Sequence, residues 1–120
     1  MATIKSYTDI SQSKKLAKIL PLESADMYYM EVSCNNYTIG VLQRMEKDML
    51  LNKAEYYKMF PCWSLTALIS IIPNYKLSSE HNYHSCAAET PFGKETVAWF
   101  DNPIDACVAM IEKLHELKML

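Results

Sequence analysis

The C-terminal stretch DNPIDACVAMIEKLHELKML leaves little conformational choice. Asn102 is a helix-capping residue, Pro103 suits the first helical position, and Asp105 favours the positive end of the helix dipole. Beyond them Cys107, Met110, Ile111, Leu114 and Leu117 recur on one face, while Glu112, Lys113, Glu116 and Lys118 take the other. A helix with one apolar stripe has to bury it against a second layer. The remainder of the chain must supply that layer.

Two more helices are legible. Residues 10–20 begin after Asp9, a cap, with Gln12 three residues on as a variant capping box. Ile10, Leu16, Ile19 and Leu20 are apolar there, and Pro21 ends the run. In PCWSLTALISIIP, Leu65, Leu68, Ile69 and Ile72 share a helical face between the cap Ser64 and the stop Pro73. Trp63 precedes the cap, positioned to staple onto Leu68. Residues 44–60 hold a loose stripe (Met45, Met49, Tyr56, Phe60) broken at Lys53, and read as a long connection containing a helix.

Four strands follow from alternation and turn residues. MYYMEVSC (27–34) and YTIGVLQ (37–43) flank Asn35-Asn36, which tolerates a tight hairpin turn. That turn places Cys34 opposite Tyr37, Val32 opposite Ile39 and Met30 opposite Val41, all on one face. YHSCAAET (83–90) and ETVAWF (95–100) form a second hairpin. A four-residue PFGK loop sets Ala88 against Val97, Cys86 against Trp99 and His84 against Asp101. The expected fold is a single α+β domain over residues 1–120: a small antiparallel sheet of two β-hairpins packed against three to four helices.

Composition narrows the function. Half the 120 residues are hydrophobic and 22% are charged, so the chain can bury a core without a staple. Twelve scattered basic residues against 14 acidic ones argue against a nucleic-acid-binding face. The start, MATIKSYTDISQSKK, has no apolar run of signal-peptide length, and LTALISII is too short to span a bilayer. The expectation is a cytoplasmic protein with no membrane partner. Cys34, Cys62, Cys86 and Cys107 include no CxxC pair and read as free, buried thiols.

HNYHSC (81–86) is the best metal candidate, through His81, His84 and Cys86. On a strand, residues three apart point to opposite faces, so His81 and His84 diverge unless a turn intervenes. The simpler reading puts His81 in a polar loop, His84 at a strand edge and Cys86 against Trp99. Cys62 precedes the middle helix, where a helix N-terminus lowers a thiol pKa, yet no positioned base accompanies it. Cys107 and His115 share a helix but lie about 12 Å apart at 1.5 Å rise per residue. Glu23, Asp26 and Glu31 read as solvated acids. With no nucleotide-binding, hydrolase or metalloprotease motif, no catalytic residue and no cofactor is assigned. The tyrosines are more suggestive, because Tyr and Met are enriched at protein contacts. In each of the pairs Tyr28-Tyr29 and Tyr56-Tyr57 one ring must leave the face that holds its neighbour. All four are candidate interface residues.

Three fragments, SKKLAKILPLESADMYY, PCWSLTALISIIP and DNPIDACVAMIEKLHEL, together resemble a family of small uncharacterised proteins of gut-commensal bacteria, often associated with prophage or mobile elements. The resemblance covers about half the chain. It implies a compact α+β domain of mobile-element origin and supplies no activity. The expected function is non-enzymatic interaction or regulation, through a protein partner or a homodimer. The alternative is a small-ligand or metal-binding domain using the His84/Cys86 region.

Overall fold

The computed structural model describes residues 5–34, 36–41 and 59–120. Asn35, Tyr56, Tyr57 and most of the stripe read over 44–60 lie outside them. In chain order the elements are α1 (Ile10–Leu16), a short 3-10 turn (Leu22–Ser24), β1 (Met27–Ser33), β2 (Asn36–Val41), β3 (Met59–Cys62), α2 (Leu65–Ile71), β4 (Lys76–Glu80), β5 (Tyr83–Thr90), β6 (Gly93–Thr96) and α3 (Pro103–Glu116). The α+β class stands. The expected sheet of two hairpins is instead two antiparallel sheets, ordered β2-β1-β3 and β4-β5-β6. Each hairpin takes in a third strand from a segment with no strand signal. MFPC contains a proline, tolerable because β3 is an edge strand. KLSSE is mostly polar.

All three expected caps form. The Asp9 carboxylate accepts from the Gln12 amide at 2.8 Å, and the Gln12 side chain accepts from the Asp9 amide at 3.1 Å, a complete capping box. Ser64 accepts from the Ala67 amide, and Asn102 from that of Asp105. α1 stops at Leu16, short of Pro21, and a tighter turn carries the chain to Leu20. The α3 stripe of Cys107, Met110, Ile111 and Leu114 is fully buried, while Leu117 falls at the C-cap and is exposed. The stripe packs with Cys86 and Ala88 of β5, Leu68 and Ile72, Trp63, Leu16 and Leu20 in one core. Each fully buried large aliphatic there contributes about 1.5–3 kcal/mol.

Both hairpin registers depart from expectation. In the first, Tyr29 faces Ile39 and Glu31 faces Tyr37, with an irregularity between Glu31 and Ser33. In MYYMEVSC alternation favours the apolar set Tyr28, Met30, Val32 and Cys34 over Met27, Tyr29, Glu31 and Ser33, yet the structure buries Tyr29 and exposes Val32. Pairing with β3 decides it: Tyr29 lies across from Phe60, and the two rings stack at 5.3 Å. Val32, Val41 and Cys34, expected inside, are exposed.

In the second hairpin the loop is Pro91-Phe92, and Gly93 enters β6 with φ of 112°. Ala88 therefore faces Glu95, and Ala87 faces Thr96. Further along, His84 pairs with Phe100 and not with Asp101. HNYHSC turns out to contain a hairpin turn. His81 and Asn82 both have positive φ, 50° and 66°, and join β4 to β5 as a two-residue loop. Positive φ is strained for histidine, and Asn-Gly is the preferred pair at such a turn. The double variant His81→Asn/Asn82→Gly should gain about 0.5–1 kcal/mol. A raised urea midpoint with unchanged slope is the expected result.

Candidate functional site

The thiols separate by environment. Cys62 lies on an edge strand beneath α1, completely buried, and the α2 cap is Ser64. Its sulfur is 3.5 Å from both the hydroxyl and the carbonyl of Thr8. The Thr8 hydroxyl also meets Ser13 at 2.7 Å and accepts from the Trp63 amide. The Tyr29 hydroxyl donates to the Thr8 carbonyl at 2.8 Å. Burial pushes the Cys62 thiol up, over the opposing hydrogen bonds from Thr8 and Ser13. A buried thiol held protonated is a poor nucleophile, the opposite of the lowering that a helix N-terminus would give. Cys107 is likewise pushed up, by its hydrogen bond with Cys86 and by burial. Cys34 alone of the four is exposed, correcting the reading of four buried thiols.

The metal candidates do not converge. His81 is at the β4–β5 turn with its side chain 88% exposed, 3.8 Å from Glu80. His84 and Cys86 share the inner face of β5, and Cys86 is fully buried. It faces Leu77 on one side and lies against Cys107, so the expected Cys86–Trp99 contact is replaced. Among the described residues no group of three or more His, Cys, Asp or Glu is placed to hold a metal ion.

A charged cluster ties the N-terminal segment to α3. Lys5 bonds Asp105 at 2.9 Å and Asp9 at 3.1 Å, while Gln12 and Asn102 donate to Asp105. Burial pushes the Asp105 carboxyl up, but the bonds from Lys5, Gln12 and Asn102 outweigh it and hold the group below its ordinary value. Each member has its partners within the chain, so the cluster is a clasp. Asp26 has a similar role, accepting from both the amide and the hydroxyl of Ser64.

The aromatic residues divide into two sets. Tyr29, Tyr37 and Phe60 form a cluster under α1, and Lys14 extends its ammonium over Phe60 at 5.4 Å and Tyr37 at 6.0 Å. The interface candidate Tyr29 is buried in this cluster. Tyr28, half-buried on the opposite face, lies so close over Gly40 that a β-carbon there would sit 2.9 Å from its ring.

The second set was not singled out as a surface by sequence reasoning. Tyr83 is 54% exposed and Trp99 is 48% exposed. With Glu80 and His81 they line an open concavity of about 410 Å³ at one end of the second sheet. Glu80 is directly across from Tyr83 on the same outer face. Trp99 reaches that face through a bulge. Ala87 opposes Thr96, yet His84 opposes Phe100, so one extra residue is inserted between them. Without it Trp99 would oppose His84 and point inward. With it Phe100 points inward and packs on the core, and Trp99 turns out. The Ser85 hydroxyl donates to the Val97 carbonyl at 2.8 Å, satisfying a group inside the bulge. The residue pattern ETVAWF shows no such insertion, because a bulge is defined by the partner strand.

No family model, curated protein or solved structure matches this chain. Among the described residues no helix is long and apolar enough to cross a membrane.

Two outcomes follow from the buried groups. Thiol titration of the native protein should react one cysteine quickly, Cys34, and the three buried ones only in denaturant. Fast modification of Cys62 in folded protein would contradict its placement. For Asp105, a lowered folded pKa means its contribution is complete above the unfolded value of 3.8 and is lost as pH falls through the folded one. Asp105→Asn should therefore flatten the acid limb of stability against pH, read as urea midpoints. An acid limb as steep as that of the wild type would rule the clasp out.

Proposed function

We propose that this chain is a non-enzymatic interaction or regulatory protein, working through protein–protein contact with a separate partner or with a second copy of itself. The observation that carries the reading is Trp99. A bulge in the sheet exchanges it with Phe100, so that a tryptophan faces solvent beside Tyr83 while a phenylalanine packs inward. Exposing a large ring forgoes burial energy that folding alone would favour, and Trp and Tyr are the residues most enriched at contact hot spots. The burial of Cys62, Cys86 and Cys107 supports a role without covalent chemistry at those thiols. A mobile-element setting is part of the proposal and rests on the resemblance of the three fragments. A cytoplasmic location is also part of it, and four free cysteines are in keeping with it.

The test is the double variant Tyr83→Ser/Trp99→Ser. Because both side chains are half-exposed, its thermal midpoint should stay close to that of the wild type. Self-association in sedimentation velocity, or recovery of a bound partner, should fall at least tenfold. Equal association and equal recovery by both proteins would remove the proposal.

A further inference from the structure

We infer that the Tyr83–Trp99 concavity receives an arginine side chain presented by a partner protein. This rests on the reading of the concavity as a contact surface and adds the chemistry of its occupant. Two aromatic rings and one carboxylate line the site, together with His81. Ring faces carry negative potential, and the Glu80 carboxylate beside Tyr83 adds a full charge. The local field therefore favours a cation.

The same chain shows how it treats such a site. Under α1, Phe60 and Tyr37 hold the ammonium of Lys14, at 5.4 and 6.0 Å. Over Tyr83 and Trp99, among the described residues, no lysine or arginine takes that position. Glu80 has the exposed His81 as its ionic neighbour, at 3.8 Å, which is a long and weak contact. An incoming cation would meet an accessible carboxylate.

Guanidinium fits better than ammonium. It is planar, stacks on aromatic faces, is less strongly hydrated, and presents a fork that matches a carboxylate. Its methylene stem suits the apolar surface that the two rings present. A phosphate-bearing ligand would meet the Glu80 charge. Arg44 is the single arginine in the chain, so a second copy has only that residue to offer.

The experiment titrates isotopically labelled protein with the peptide acetyl-Gly-Arg-Gly-Arg-Gly-amide and follows the Trp99 indole and the Glu80 amide by NMR. The same peptide with citrulline, the neutral isostere, is the control. The expected result is saturable shifts at both groups with the arginine peptide, and binding at least fivefold weaker with citrulline. Glu80→Gln should weaken the arginine peptide by about 3- to 10-fold, in keeping with an exposed cation–π and ion-pair contact. Equal binding of both peptides would overturn the inference. So would shifts with neither, whether or not the Tyr83→Ser/Trp99→Ser variant loses a partner. If that variant does lose one while citrulline binds equally well, the contact surface stands and the arginine does not. Concentration-dependent shifts of the same groups without peptide would assign the occupant as a second copy, which also overturns it.

Discussion

The contact on which the molecule depends is the seam between α3 and β5. Cys86 and Ala88 on the strand meet Ala106 and Cys107 on the helix, and all four are essentially inaccessible. Small side chains allow the two backbones to approach closely, and the larger Met110, Ile111 and Leu114 fill the space around them. Once Cys86 and Ala88 face the helix, strand alternation sends Tyr83, Ser85 and Ala87 to the other side. The outer face of the second sheet is a consequence of how its inner face packs.

That consequence extends to Trp99 through the bulge. Phe100 exchanges backbone hydrogen bonds with His84 at 2.6 and 2.7 Å and joins the core. One residue of slack in the strand is the physical condition for this, and the Ser85 hydroxyl covers the carbonyl it leaves. An uninterrupted ladder would have turned Trp99 toward His84. The exposed tryptophan is thus a product of register, and register is a property of two strands together.

The first sheet is attached differently. Thr8 pairs its backbone with Trp63 at 2.9 Å, while its side chain and carbonyl meet Ser13, Cys62 and Tyr29. The Trp63 indole donates to Ser24, which in turn donates to the Pro21 carbonyl. Buried polar groups are costly unless satisfied, and here they satisfy one another across α1, β1 and β3. Lys5 and Asp105 complete the attachment from the N-terminal segment to α3.

The amino-acid sequence by itself determined the local features. Asp9 with Gln12, Ser64 and Asn102 name their helices because capping involves residues three apart. The α3 stripe declared a second layer for the same reason of short range. The α+β class and the two expected hairpins were legible too. The tertiary structure alone decided the strands MFPC and KLSSE, the phase of MYYMEVSC and the outward turn of Trp99. Each of these depends on a partner strand elsewhere in the chain, and a shift of one residue reverses which side chain faces water. HNYHSC illustrates both halves. Its polar start was readable as a loop, whereas its reversal into a hairpin required β4 to exist as a partner.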